Sequence, residues 1–304
     1  MLIKQLEYLT ALAREKHFGR AAEACGVTQP TLSAGIKQLE DDLGVLIVER
    51  GQRFQGLTPE GEHVLAWAQR ILADVEALAQ DMSETRGSLV GRLRMGVVPA
   101  ALPMVTLLTT RFVDAYPRTT VTVSSATSTD IQRGLDDFSL DAGLTYLDNE
   151  PLVHVRSVPL YHERYMLVTP AEGPMKGRDS VTWREAANLP LCLLTSENQG
   201  RRIVDRHFRE AGAIAQPRVE SNSLVALCAH PRLGILSSVL PEALVATLGP
   251  LPGVRAIPRV EPAASHSVGL IVPDRDPLMP IAAAVFRLAQ TIDADAVLAA
   301  GATP

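Results

Sequence analysis

Aromatic side chains are scarce in this 304-residue chain, which has six Phe, five Tyr and two Trp, 4% of the total. That scarcity argues against a stacking platform for single-stranded nucleic acid, which needs aromatic rings under successive bases. Cysteine is scarcer still: Cys25, Cys192 and Cys228 are odd in number and widely spaced, fitting neither a disulfide framework nor a zinc site. No run of about 18 uncharged apolar residues occurs, so no transmembrane helix and no membrane partner is expected. The start, MLIKQLEYLTALAREK, carries charges every few residues and lacks the apolar core of a signal peptide, which predicts a cytoplasmic protein. A basic excess is also missing. The net charge is −5, so any contact with nucleic acid has to come from local placement of cations. The catalytic signatures GxSxG, P-loop, GxGxxG and HExxH are absent, and the seven histidines are scattered, which points away from an enzyme and from a metal or organic cofactor.

What is present divides into three zones, and the length suits about two domains. Residues 1–58 read as short helices and a hairpin. Leu2, Leu6, Leu9 and Leu12 recur at helical spacing, a second helix covers Gly19–Cys25 and stops at Gly26, and Thr28 caps a third with Pro30 in its first turn. That third helix buries Leu32, Ile36 and Leu39 and ends near Gly44. The following VLIVERGQRFQGLT reads as a two-stranded wing around Arg50 and Arg53. Helix-turn-helix plus wing suits double-stranded DNA, because a protruding helix fits a major groove about 12 Å wide.

Residues 59–87 read as one long helix opened by Pro59. Val64, Ala68, Ile71, Val75, Leu78 and Met82 are spaced 4, 3, 4, 3 and 4, an a/d heptad stripe that predicts a seam with a second copy of the chain. A dimer would present two recognition helices to one DNA face and favour dyad-symmetric sites.

Residues 88–304 alternate strands and helices: Leu93–Val98, Pro103–Ala115, Thr119–Ser125, Asp130–Asp137 and Leu140–Tyr146 form a βαβαβ run, and a second set starts near Tyr161. This predicts an α/β domain of two lobes, the first about 88–160 with 267–304 and the second about 161–266. Ligands of such sheets sit outside strand C-termini, and between two lobes that place becomes a cleft. Strand-to-helix junctions offer Val98, Ala100, Ser125, Thr127, Ser128, Thr195, Ser196 and Asn222 as effector contacts, with Arg201 and Arg202 close by. Helix N-termini favour anions, so a small anionic metabolite is the expected guest. Ser and Thr at these junctions equally serve as plain helix caps. Cys192 in an apolar strand and Cys228 in a helical pattern are expected to be buried and structural rather than redox-active.

The segment HFGRAAEACGVTQPTLSAGIKQLEDDLGVLIVERGQRFQGLTPEG resembles the N-terminal domain of LysR-type transcriptional regulators, closely over about 60 residues, and GSLVGRLRMG resembles the family's entry to its effector domain. The resemblance implies an N-terminal all-α winged helix-turn-helix with a long linker helix and a C-terminal α/β two-lobe periplasmic-binding-protein-like domain. It implies a DNA-binding regulator of promoter sites whose dimers pair into homotetramers, with RNA polymerase as a further partner. It places Arg20, Lys37, Arg50 and Arg53 toward DNA, with Ser33 adding a hydroxyl contact to phosphate. Gln29, Pro30 and Thr31 then stand at the start of the recognition helix, where Gln pairs with adenine and Pro or Thr touches a thymine methyl. Two positions depart from the family: Leu46-Ile47 replaces a usual Leu-Phe, and Ala34-Gly35 follows the recognition-helix Ser. The stretch LPLCLLTSENQGRRIVD resembles members associated with formate metabolism, which implies a small carboxylate such as formate as coeffector.

Overall fold

The computed structural model describes residues 1–49, 54–85 and 88–301. The chain forms two compact units, Met1–Gly87 and Ser88–Pro304. Among the described residues no helix is long and apolar enough to cross a membrane.

The first unit holds α1 (Ile3–Glu15), α2 (Phe18–Ala24), α3 (Gln29–Leu43) and α4 (Pro59–Thr85). Local chemistry sets the breaks. The His17 ring accepts the Gly19 and Arg20 amides and starts α2, and Gly26 turns the chain at φ +66°. Thr28 then accepts the Thr31 amide and starts α3, with a proline in the first turn. Tyr8, Leu12, Ala21, Leu32 and Ile36 form one apolar cluster, and Leu6, Leu9, Leu39, Ile47 and Ala68 form a second. Ile47, at the departure from Leu-Phe, is fully buried and fills its site.

The wing is slighter than the expected two strands. Among the described residues it shows one bridge, Val48 with Leu57, made by backbone bonds from the Glu49 amide to the Gly56 carbonyl and from the Thr58 amide to the Ile47 carbonyl. Glu40 on α3 fixes its root by accepting the Ile47 and Val48 amides at 2.7 and 3.1 Å.

Gly35 has a packing reason. A Cβ there would lie 2.6 and 2.8 Å from two ring carbons of Tyr8, which is itself buried. Gly35→Ala should therefore lower the stability of this unit by ~1–3 kcal/mol through overpacking, despite alanine's better helix propensity. A thermal melt in which the alanine variant gained stability would show that α1 and α3 yield at this contact.

The second unit begins with β1 (Gly91–Val97), α5 (Leu102–Ala115), β2 (Thr119–Ser125), α6 (Ser128–Asp136) and β3 (Ala142–Tyr146). It continues through β4 (Val155–Pro170), β5 (Ser180–Thr182), α7 (Trp183–Ala187), β6 (Cys192–Leu194), α8 (Gln199–Glu210) and β7 (Val219–Ser221). It closes with α9 (Leu224–Ala229), β8 (Ser238–Pro241), α10 (Glu242–Leu248), β9 (Val254–Ile257), β10 (Arg259–Glu261), β11 (Ser265–Pro273), α11 (Pro280–Ala289) and α12 (Ala294–Gly301).

The main sheet runs β2-β1-β3-β11-β4-β8, with β9 also on β4. β1 is parallel to β2 and β3, as a βαβαβ run requires, while β11 returns antiparallel to both β3 and β4. β4 is the long crossing strand: Val155–Arg164 pairs with β11, and Tyr165–Pro170 pairs with β8 and β9 in the second lobe. An ion pair secures the first lobe. Asp141, almost fully buried, takes the Arg94 amide at 2.7 Å and two guanidinium bonds at 3.0 and 2.7 Å.

Candidate DNA-binding face and effector cleft

The cap at Thr28 leaves Gln29, Pro30 and Thr31 exposed in the first turn of α3. Ser33 is half-buried and Lys37 exposed one turn further on. Arg20 is exposed on α2, where its Nη2 donates to the Glu15 carbonyl at 2.6 Å. Phe18 on α2 meets Phe54 edge-on, ring centroids 6.2 Å apart, which ties α2 to the wing. Arg50 and Arg53 lie outside the described residues.

The heptad stripe on α4 divides in two. Ala68 is fully buried against Leu6, Leu9 and Leu39, and Val64 and Ile71 pack on the same cluster. Ala68 belongs to the core of its own unit, which corrects the expectation that it forms part of the dimer seam, and Val64 and Ile71 lend part of their surface to that core. Ala68 is closed to a second copy, whereas Val64 and Ile71 keep part of their surface open. Val75, Leu78 and Met82 remain exposed.

In the second unit a cleft of about 500 Å³ opens where strand ends meet helix starts. Ser125, Thr127 and Asp130 line it from the first lobe; Glu197, Asn198 and Asn222 line it from the second. That volume suits a small ligand. Beneath it lies a cavity of about 20 Å³, room for one water, bordered by Ala100, the Tyr146 and Tyr165 rings and Gly200. The two tyrosine hydroxyls are 3.2 Å apart, and Thr145 donates to Gln199 at 3.1 Å. Burial pushes the Tyr165 and Tyr146 phenols up, so both stay neutral donors.

Several expected effector contacts have other work. Val98 is buried and its amide donates to the Leu144 carbonyl at 3.0 Å, so the backbone donor expected there is already used. Ala100 is buried and reaches only the small cavity. Thr127 caps α6 through the Asp130 amide, which starts that helix two residues before the expected Asp130. Ser128 is buried and donates to Glu150 at 2.8 Å. The Thr195 hydroxyl donates to Glu197 at 2.8 Å and holds that carboxyl below the usual range. Ser196 is exposed but does not border the cleft with its side chain; its carbonyl accepts Arg202. Arg201 is not free for a ligand: it is buried among Asp205, Glu220 and the Leu194 carbonyl. Arg202 spans the lobes, donating to Glu150 at 2.6 Å and to Ser128 at 3.2 Å. The carboxylates Asp130 and Glu197 were missed as lining groups, because their place depends on how the lobes close.

Burial pushes the Cys228 thiol up to about 11 and raises Cys192 as well. Cys25 is raised by burial and by Glu7. None of the three carries the lowered pKa of a reactive thiol.

Residues 3–62 match the family model described as bacterial regulatory helix-turn-helix protein, lysR family, and residues 86–292 match the LysR substrate binding domain. The chain belongs to the LysR family. It is a DNA-binding transcriptional regulator with an effector-binding domain, and not an enzyme. Among its relatives, the DNA-binding transcriptional dual regulator OxyR of Escherichia coli strain K12 is 29% identical over 279 residues, 91% of each chain. A probable hydrogen peroxide-inducible genes activator of Streptomyces viridosporus is 35% identical over 217 residues, 69% of this chain and 68% of the relative. A full-length OxyR variant from Pseudomonas aeruginosa superposes with a TM-score of 0.75 at 29% identity, covering 95% of this chain and 93% of that one. The regulator CbnR in complex with its target DNA shares the fold, with a TM-score of 0.67 at 23% identity over 95% and 99% of the two chains. Like other regulators of the family, this LysR protein acts on promoter DNA as an oligomer.

Proposed function

We propose that this LysR protein is a cytoplasmic regulator that grips dyad-symmetric promoter sites as a dimer, with dimers pairing into a tetramer, and that it passes its signal to RNA polymerase. The working division is a DNA-binding head over 1–58, a linker helix over 59–87 and an effector domain over 88–304. The exposed triad Gln29-Pro30-Thr31 at the capped start of α3 carries the DNA reading. Gln29 reads a base edge, whereas Lys37 and Arg20 contact phosphate.

A mobility-shift series on the DNA upstream of its own gene tests this. Gln29→Ala should lose ~1–3 kcal/mol of discrimination, roughly 5- to 150-fold, while binding to random DNA stays unchanged. Lys37→Ala should weaken all sequences alike and flatten the salt dependence by about one unit of slope. Equal losses on both DNAs for Gln29→Ala would remove it from base readout.

The effector enters the cleft beside Ser125, Thr127 and Asn222, and it is a small polar metabolite. The starts of α6 and α8, with Arg202 at the edge, favour an anion such as formate. A neutral or cationic polar ligand is the second reading, favoured by Asp130 and Glu197 in the same cleft. Titrating formate, a polyol and a small amine against the DNA complex separates them, since the ligand must discriminate between two conformations to act.

A further inference from the structure

In the effector domain two imidazoles meet at the junction of the lobes. His207 on α8 and His266 on β11 face each other Nε2 to Nε2 at 2.8 Å, and both side chains are mostly buried. The Trp183 ring stacks on His207, centroids 5.0 Å apart and 27° between planes. The Asn149 amide, in the loop after β3, reaches the His266 Nδ1 at 2.9 Å.

The hydrogen-bond chain fixes every proton. Arg206 Nη1 donates to the Asn149 Oδ1 at 2.7 Å, so that amide presents its Nδ2, a donor, to His266. The Nδ1 of His266 must therefore carry a lone pair, and its proton sits on Nε2. That proton points at the His207 Nε2, which must accept, so the His207 proton sits on Nδ1. There it meets the Glu210 Oε2 at 3.1 Å. Both rings are neutral and each nitrogen has a complementary partner.

We propose that the His207–His266 pair is a proton-operated clasp: it ties α8 of the second lobe to β11 and the loop after β3 while both rings are neutral, and an added proton releases α8.

Only two lone pairs can take that proton. On the His207 Nε2 it would face the His266 N–H; on the His266 Nδ1 it would face the Asn149 amide hydrogens. On the His207 Nε2 the added proton meets only a donor; on the His266 Nδ1 it meets the Asn149 donor at 2.9 Å and gains the Asp148 carboxylate, 3.4 Å away, only if that amide gives way, because Arg206 prevents it from flipping. The surroundings decide whether the charge is tolerated. Arg206 on α8 repels it. Asp148, 3.4 Å from the His266 Nδ1, and Glu210 on α8 attract it. Tyr165 on β4 and Tyr146 on β3 pack edge-on against His266 and stay neutral, as does Glu163, its cross-strand neighbour on β4, below about pH 8. Burial outweighs the two carboxylates and depresses both imidazoles, with the His266 ring opposing charge on His207 and Arg206 opposing it on both. A depressed imidazole contributes its full stability above its ordinary pKa near 6.5, and that contribution falls as the pH drops below it. The Arg202–Glu150 bond also spans the lobes, near the start of α8 and with no imidazole in it, so the clasp acts on the other end of that helix.

Trp183 reports the clasp directly. The chain has two tryptophans, so Trp67→Phe leaves Trp183 as the single emitter in the full-length protein. The expected result is a reversible loss of Trp183 fluorescence as the pH falls from 8 to 5, centred below 6.5, because a stacked imidazolium quenches indole. Amide exchange in α8 and residues 147–150, corrected for its intrinsic pH dependence, should rise over the same range. Asn149→Ala removes the donor that blocks Nδ1 and should move the transition to higher pH. The paired variant His207→Gln with His266→Gln should abolish it. A flat signal in the intact chain, a transition that survives the paired substitution, or one that Asn149→Ala leaves in place would each overturn the clasp.

Discussion

A full-length protein carrying Leu78→Asp should sediment as a smaller species than the unaltered oligomer at the same concentration. Leu78 is 63% exposed on α4, between Val75 at 41% and Met82 at 47%. The three recur at helical spacing on a face that α1 and α3 leave open. In a two-fold seam every substitution counts twice. Burying a leucine is worth ~1.5–3 kcal/mol, so losing it on both copies costs about 3–6 kcal/mol, roughly a 150- to 25,000-fold weaker dimer. An ionised aspartate inside the seam adds to that loss. The same substitution at Ala68 should give a different result, a molten N-terminal unit, because that residue is enclosed by Leu6, Leu9 and Leu39. Sedimentation velocity together with a melt of the N-terminal unit separates the two effects. A Leu78→Asp protein that stays dimeric with full DNA affinity would move the seam away from α4.

Replacing Glu163 with Gln makes the effector domain more stable at neutral pH, and the gain grows with pH. Glu163 is 1% exposed, and burial raises its pKa from 4.5 to about 8. The Tyr161 hydroxyl, donating at 3.1 Å, offsets part of that rise, and the charge of Glu242 adds to it. The folded state therefore holds a proton that the unfolded chain releases. Stability is full below about pH 4.5, declines as the pH rises, and levels off above about 8. At pH 7 the accumulated cost is about 3 kcal/mol, from ~1.4 kcal/mol per unit. Gln keeps the shape and an oxygen for Tyr161 but has no proton to lose. Thermal unfolding of both proteins at pH 5 and 7.5 should show a small difference at the lower pH. At the higher pH, where the cost reaches about 4 kcal/mol, the variant should melt ~8–16 °C above the unaltered chain, at ~2–4 °C per kcal/mol. Equal melting points at pH 7.5 would mean that Glu163 is ionised or hydrated where it stands.

Much of the architecture could be read from local chemistry. Thr28 and Pro30 mark the start of α3 because a capping hydroxyl and a fixed φ act within four residues. The βαβαβ run from β1 to β3 shows in its alternating apolar segments, with ends displaced by one or two residues where caps such as Thr127 act. The segments that escaped notice are short: β5, β8, α10, β9 and β10 each span three to seven residues and take their conformation from neighbours, for β8 and β9 the crossing strand β4.

Sequence determined the helix-turn-helix, the long α4 and the alternating strands and helices of the second domain, because each rests on spacing or capping within a few residues, and resemblance over the first 60 residues supplied the family. Tertiary structure decided the rest. The α4 stripe is periodic throughout, yet only packing against α1 and α3 determines which half is core. Arg201 and Arg202 are adjacent in the chain, yet one is sealed by Asp205 and Glu220 and the other bridges the lobes. His207 and His266 stand 59 positions apart, and Asn149 and His266 117 apart, so no local pattern pairs them. Their proton positions follow from hydrogen-bond directions, which exist only once the chain has brought those atoms together.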